Sequence, residues 1–158
     1  TRRGDEKEKK RQTMGRVYMR EDYGQGNREL VGEMVEVDVQ GHEEFGEQKP
    51  AGREGIKQLV TAFRQAFPDI SVTVEDVAAE GDRVFLRTSW AGTHHGEFMG
   101  IEATGKRIYF DSIDEIRFEE GKIKEHWGVT DTMGLMMQLG GIGAHVEYPG
   151  GSSIYLDG

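Results

Sequence analysis

Hydrophobic and polar residues alternate along this chain with two periods, one typical of helices and one typical of strands. The clearest helical pattern covers residues 54–67, where apolar residues recur on one side of a predicted helix that ends before Pro68. This stripe consists of Ile56, Leu59, Val60, Phe63 and Phe67. Shorter helical patterns cover residues 9–23 and the segment after Asn27, which is a predicted N-cap.

A period of two predicts strands at residues 71–79, 83–93, 106–119 and 122–131, and a short strand at 35–39. Gly-Asp at 81–82 and Glu-Gly at 120–121 are predicted turns. Helices come first and a meander of long strands follows, which predicts an α+β fold with helices on one face of a curved antiparallel sheet. Such a sheet would form a cone whose open mouth suits a small molecule.

The length of 158 residues fits one domain, which we place at residues 1–139. Residues 1–8 are highly charged, and we expect them to be disordered. Residues 140–158 form a glycine-rich tail that we expect to pack over a neighbouring subunit or over the cone mouth.

Composition narrows the classes of partner. The formal net charge is −9, whereas nucleic acids and anionic membranes require a basic surface. The chain has no cysteine, no apolar run near the length of a membrane span, and no secretory signal pattern at its start. We therefore expect a cytoplasmic protein without nucleic-acid or membrane partners.

Polar residues interrupt the apolar face of the predicted strand 106–119. That face carries Ile108, Phe110, Ser112, Asp114, Ile116 and Phe118, so Ser112 and Asp114 are expected to point inward. Burial raises the pKa of a carboxyl group, which suits a general base or acid near neutral pH. The alternative is a structural aspartate that is paired with an arginine such as Arg87 or hydrogen-bonded to a neighbouring strand, and the sequence leaves these readings open.

The inward face of the strand 122–131 is undecided by its pattern. Trp127 and Asp131 lie on one face and His126 on the other, and a β-bulge would rotate part of the strand. His126 is either a proton carrier or a histidine at the rim. Trp127 is either a core residue or a wall of the pocket.

Metal and nucleotide motifs are weak. The candidate metal ligands lack the His-x-x-x-His spacing of a hydrolytic zinc site; they are His42, His94, His95, Glu97 and His126. Gly-Ile-Gly at 141–143 lacks the strand and helix of a dinucleotide site. We therefore expect no metal and no cofactor.

Several blocks of the chain resemble the SnoaL-like polyketide cyclase family, which has a nuclear-transport-factor-2-like fold. The resemblance covers roughly residues 9–139. The blocks are EGIKQLVTAFRQAFPDI, VEDVAAEGDRV, GTHHGEFMGIEATGKRI, IDEIRFEEGKIKEHW and DTMGLMMQLG. The resemblance implies a cone of sheet and helices that is commonly dimeric or tetrameric through the sheet. We expect a homodimer, because Tyr109 and Ile113 on the outer face of the strand 106–119 are apolar enough to pair.

The resemblance also implies an activity. Relatives close a ring on an aromatic polyketide ester by intramolecular aldol condensation, without metal or cofactor. By block, Asp114 and His126 match polar pocket residues of the family, His94 matches its Gly-Thr-His segment, and Tyr18 matches an aromatic residue of the first helix. Together with the helix and strand patterns, this leads us to expect catalytic roles for Asp114, His126 and Asp131, and substrate contacts for residues that line the cone. These are Tyr18, Phe63, Phe67, His94, Phe110, Ser112 and Trp127.

One position departs from the family pattern. After the His-Trp pair the family often has an aspartate that acts as acid and base, and this chain has Gly128. Two function classes therefore stay open. One is a cofactor-independent enzyme, either cyclase-like or of another type such as an epoxide hydrolase or isomerase. The other is a binding protein for an apolar small molecule.

Overall fold

The computed structural model describes residues 2–42 and 51–141, together with the backbone of two short strands at 145–147 and 153–155. Helix α1 (Arg2–Val17) runs directly into a π-helical segment, Tyr18–Tyr23, which we call the π-turn. Helices α2 (Arg28–Met34), α3 (Arg53–Ala66) and α4 (Thr132–Gln138) complete the helical layer. The predicted α+β class is confirmed.

Five long strands form one sheet, β1 (Val35–His42), β2 (Ser71–Glu80), β3 (Arg83–Thr93), β4 (Arg107–Glu119) and β5 (Lys122–Thr130). Their order is β1-β5-β4-β3-β2. Strands β2 to β5 form the expected antiparallel meander, but β1 pairs with β5 in parallel. The sheet is therefore mixed rather than antiparallel, because the long connection through α3 and the meander returns the chain beside β1.

Residues close to each boundary determine where several of the helices and strands begin or end. Asn27 caps α2 as predicted, since its side chain accepts a hydrogen bond from the backbone N–H of Leu30 at 3.2 Å. The predicted turn at 81–82 connects β2 to β3. Helix α1 begins at Arg2 rather than near Lys9, and it lies close to the sheet at Gly15, where an added Cβ would be 3.2 Å from Val84 Cγ1. A glycine there permits this close approach.

The core lies between the helices and one face of the sheet. The residues on the inner face of β4 are all buried, as the alternating pattern predicts, and Tyr109 and Ile113 on the opposite face are exposed. The buried aromatic residues of this layer include Phe63, Phe67, Trp90 and Phe110. Burial of such side chains stabilises the fold by about 1.5–3 kcal/mol each.

The expected tail is described only in part. Strands β6 (His145–Glu147) and β7 (Ser153–Tyr155) pair with each other in an antiparallel manner. The packing predicted for the tail side chains lies outside the described residues, and so do residues 43–50.

Candidate functional site

A hydrogen-bonded series of polar side chains lies in the buried layer beside β4. Asp114 on β4 and His126 on β5 point to the same side, and His126 Nε2 lies 2.8 Å from Asp114 Oδ1. Tyr18 reaches the other ring nitrogen, with its Oη 3.1 Å from His126 Nδ1. Asp114 is 3% exposed and His126 1% exposed, so the interaction is largely shielded from water.

The second oxygen of the Asp114 carboxylate also has a partner. Ser112 Oγ donates to Asp114 Oδ2 at 2.9 Å. The same hydroxyl lies 3.3 Å from Thr130 Oγ1 on β5. A buried carboxylate is stable only when hydrogen bonds replace its hydration, and these contacts supply them.

The alternative pairing of Asp114 with Arg87 does not occur, but the alternative of a hydrogen bond to a neighbouring strand does, through His126 on β5. Arg87 lies on the outer face of β3, where its guanidinium pairs with Asp76 at 2.6 Å. Asp114 instead faces inward, opposite Gly128 in the pairing of β4 with β5. The inward position of Ser112 and Asp114 is therefore confirmed.

A cavity of about 20 Å³ adjoins Asp114, which is room for about one water molecule. Apolar side chains form most of its wall, and polar groups come from β4 and β5. Its lining consists of Met19, Tyr23, Phe63, Trp90, Phe110, Ser112, Asp114, Gly128 and Thr130. The predicted contacts Phe63, Phe110 and Ser112 are thus brought to one place with Asp114.

Gly128 has a direct consequence for this cavity. Gly128 and Asp114 are cross-strand partners, and both line the cavity. Side chains at such paired positions have Cβ atoms about 4.5–5.5 Å apart. An aspartate at 128 would therefore lie against Asp114, whereas the glycine leaves the space beside its carboxylate open.

Trp127, Asp131 and Phe67 are among the predicted site residues that do not line the cavity. Trp127 is on the outer face of β5, where it stacks on His42 with ring centroids 5.0 Å apart. Asp131 is exposed and caps α4 by accepting from the Gly134 N–H at 3.0 Å. Phe67 is fully buried beside Phe63 and Phe98 but does not line the cavity.

His94 is buried and has a local structural contact. Its Nδ1 accepts from the backbone N–H of Thr104 at 3.2 Å and lies 2.9 Å from Thr104 Oγ1. These contacts tie the end of β3 to the segment before β4. His94 does not line the cavity at Asp114, so the structure does not join it to the other candidate residues.

Asp22 on the π-turn is a buried titratable residue that the sequence pattern did not indicate. It is fully buried, and neither carboxylate oxygen has a hydrogen-bond partner among the described residues. Burial, with a smaller contribution from the neighbouring Glu21, raises its pKa to about 8. Asp22 comes one residue before Tyr23, which forms part of the cavity wall. Its burial follows from the π-helical geometry of this segment, so the sequence pattern alone gave no signal for it.

A larger cavity of about 550 Å³ lies between β1 and α3, away from Asp114. Its lining includes His42 and Ala51, which flank residues 43–50, outside the described ranges. Within the described ranges no group of three or more histidine or acidic residues is placed to hold a metal ion. No helix of the described part is long and apolar enough to cross a membrane.

Comparison with known proteins identifies the family. The model of the SnoaL-like polyketide cyclases matches residues 15–139, which is most of the chain. The chain belongs to the SnoaL-like polyketide cyclase family. The match spans the π-turn, the whole five-stranded sheet and α4.

Individual members of the SnoaL-like family are similar at modest identity. Aklanonic acid methyl ester cyclase DauD of Streptomyces sp. (strain C5) is 33% identical over 91 residues, which are 56% of this chain and 56% of DauD. The chain thus matches about half the length of this curated relative.

Solved structures agree with the SnoaL-like fold. TsrD from Streptomyces laurentii has a TM-score of 0.77 at 25% identity, covering 85% of this chain and 97% of TsrD. AclR from Streptomyces galilaeus, described as a putative hydroxylase, has a TM-score of 0.74 at 30% identity, covering 85% of this chain and 87% of AclR.

Proposed function

We propose that this chain catalyses cofactor-independent acid–base chemistry on an apolar, carbonyl-rich small molecule, with Asp114 as the proton carrier. One observation carries the proposal: the Asp114 carboxylate lines a cavity with mainly apolar walls while hydrogen bonds hold both of its oxygens. A fixed base beside an apolar surface is the arrangement that proton abstraction next to a carbonyl requires.

The proposed reaction is an intramolecular aldol condensation. Asp114 removes a proton from a carbon between two carbonyl groups, and the electron pair of the broken C–H bond delocalises into an enolate. The enolate carbon forms a new C–C bond to a ketone carbon of the same molecule, whose oxygen becomes an alkoxide. Asp114 then returns the proton to the alkoxide, so the enzyme ends unchanged.

The walls of the cavity favour a flat aromatic substrate. Phe63, Trp90 and Phe110 lie close together, with ring centroids of Phe63 and Trp90 5.4 Å apart and of Trp90 and Phe110 5.4 Å apart. Cavities that hold small molecules usually measure about 300–1,000 Å³. Substrate binding therefore requires these walls to move apart, which Met19 assists because its side chain is unbranched and flexible.

The proposal also accounts for Gly128. Because position 128 lies opposite Asp114 across the strand pair, a proton carrier at 114 reaches the same space that an aspartate at 128 would occupy. The open space beside Gly128 then accepts part of the substrate. This arrangement supports a catalytic carboxylate on β4, at Asp114, instead of one on β5, at position 128.

The test uses aklanonic acid methyl ester, the compound in the name of the relative DauD, as a probe substrate. We expect the full chain to form a cyclised isomer that chromatography separates from the substrate. Asp114→Asn should lower the rate about 100-fold or more, because the amide cannot accept the proton. Asp111→Asn is the matched control, since Asp111 lies on the exposed face of the same strand. Equal rates for Asp114→Asn and the wild-type chain would contradict the proposal.

A binding function without catalysis is the second candidate. It is favoured by the hydrogen bonds to both Asp114 oxygens, which resemble those of a structural carboxylate. A protein that only binds would be stabilised against heat by polyketide esters and would form no product from them. Asp114→Asn would then leave the ligand-induced shift unchanged. The cytoplasmic location and the lack of a nucleic-acid partner stay predictions.

A further inference from the structure

Tyr18 lies next to the candidate site but does not form part of the cavity wall. Its neighbours on the π-turn, Met19 and Tyr23, line the cavity, whereas Tyr18 does not. The Tyr18 side chain is fully buried, and its hydroxyl meets His126 Nδ1 at 3.1 Å. Tyr18 is therefore placed to act on the histidine and not on a ligand, which differs from the substrate contact expected from the sequence.

The hydrogen bonds from Tyr18 to Asp114 have a direction. An ionised carboxylate only accepts, so His126 Nε2 must carry the proton that it shares with Asp114 Oδ1 at 2.8 Å. When the imidazole is neutral, its Nδ1 atom is then an acceptor, and the Tyr18 hydroxyl at 3.1 Å is placed to donate to it. Tyr18 therefore donates to His126, and His126 donates to Asp114, which accepts.

This direction limits what His126 can do. Its Nε2 already holds a proton when Asp114 is ionised, so it cannot relieve Asp114 of the proton taken from a substrate. Ser112 likewise donates to Asp114 Oδ2. The abstracted proton therefore stays on Asp114 until the product receives it.

We infer that Tyr18 and His126 are positioning residues that hold the carboxylate of Asp114, and that Asp114 alone carries the proton. The consequence for catalysis rests on the proposed function, whereas the hydrogen-bond direction does not depend on it. Burial supports the inference, because Tyr18 and His126 are 0% and 1% exposed and bulk water does not compete for the two ring nitrogens.

The first arm of the test needs no substrate. Nitrogen-15 NMR of the full chain labelled at histidine reports which ring nitrogen of His126 carries the proton, and the His126→Gln variant identifies its signals. At pH 7.5 we expect a protonated Nε2 and an unprotonated, hydrogen-bonded Nδ1. A proton on Nδ1, alone or together with one on Nε2, would overturn the inference.

Two tyrosine variants extend this measurement. Tyr18→Phe should move the Nδ1 resonance of His126 toward that of an imidazole nitrogen without a donor. Tyr23→Phe is the matched control, because the Tyr23 hydroxyl lies 3.4 Å from the Tyr18 hydroxyl on the same π-turn. An unchanged Nδ1 resonance in Tyr18→Phe, or an equal change in Tyr23→Phe, would overturn the role given to Tyr18.

The second arm uses any substrate that the chain turns over. Tyr18→Phe should lower kcat about 10-fold or more and leave KM unchanged, because Tyr18 orients the base without touching the cavity. A raised KM with unchanged kcat would make Tyr18 a substrate contact and overturn the inference. If no substrate is found, the proposed function fails while the NMR result still decides the hydrogen-bond direction.

Discussion

Two buried aspartates have opposite surroundings in this molecule. Asp114 has donors at both carboxylate oxygens, whereas Asp22 has no hydrogen-bond partner among the described residues. Burial and the nearby Glu21 therefore raise the pKa of Asp22 to about 8, well above that of an exposed carboxyl group. At neutral pH the folded protein keeps a proton on Asp22, and the unfolded chain loses it.

This difference predicts a pH dependence of stability. Between about pH 4 and pH 8 the folded state binds one more proton at Asp22 than the unfolded state, so the free energy of unfolding falls with rising pH by up to about 1.4 kcal/mol per pH unit. Asp22→Asn should remove this contribution. Urea unfolding at pH 5 and pH 8 should show the variant gaining stability over the wild-type chain as pH rises.

Asp69 provides a control of opposite sign. Hydrogen bonds from the side chain and then the backbone of Thr93 lower the pKa of Asp69. Its ionised form therefore stabilises the fold above the unfolded pKa, and that stability is lost as the pH falls through the folded value. Asp69→Asn should thus lose stability relative to the wild-type chain at pH 8.

The Asp22 prediction has a clear contrary outcome. A difference in the free energy of unfolding between Asp22→Asn and wild type that stays constant from pH 5 to pH 8 would contradict the assignment for Asp22.

At the scale of elements, helix α4 makes hydrogen bonds to the end of β4 that a neighbouring strand would otherwise make. Strand β5 pairs with β4 from Glu119 to Ser112, and beyond this point β4 has no β5 partner. The Gln138 side chain fills the gap at Tyr109, accepting from its backbone N–H at 2.9 Å and donating to its carbonyl at 2.7 Å. These bonds attach α4 to the strand that carries Asp114.

Replacing Gln138 should therefore loosen this attachment. Gln138→Leu leaves the N–H and C=O of Tyr109 without these partners and should lower the free energy of unfolding by about 1–2 kcal/mol. Gln65→Leu is the matched control, since Gln65 is an exposed glutamine of α3, and we expect a change within about 0.5 kcal/mol. Chemical denaturation measures both, and equal effects would exclude the strand-like role of Gln138.

At the scale of the whole molecule, the outer face of the sheet carries an exposed apolar patch. We define this outer patch by Phe85, Tyr109, Ile113 and Val129, which are 40%, 60%, 58% and 75% exposed. Ile113 and Val129 are cross-strand partners, so the patch is continuous across β4 and β5. Exposed apolar patches of this kind commonly mark a contact between proteins.

We predict that the outer patch joins two copies of the chain in a homodimer. Sedimentation at micromolar concentration should give a dimer for the wild-type chain and a monomer for Ile113→Asp, because a buried unpaired carboxylate is costly. Val37→Asp should remain dimeric, since Val37 is equally exposed but lines the cavity between β1 and α3. A monomeric wild-type chain would contradict the prediction. The packing of the tail over a neighbouring subunit or over the cone mouth stays a prediction.

Features that depend on local periodicity could be predicted from the amino-acid sequence. The apolar stripe of α3, the Asn27 cap and the alternation in β4 each involve neighbours within one element, so the strand pattern was enough to place Ser112 and Asp114 on the inner face. The order of elements then indicated the α+β class. The residues of the SnoaL-like blocks indicated the family.

Features that depend on pairing between distant segments could be read only from the folded molecule. A register shift between β4 and β5 at Lys124 puts both Ile123 and His126 inside and leaves Trp127 outside, which no local pattern could settle. The π-turn likewise brings Tyr18 to His126 across 108 positions of sequence. Periodicity fixes which residues of one element share a face, but long-range packing fixes the register, and the register selects the side chains that meet at Asp114.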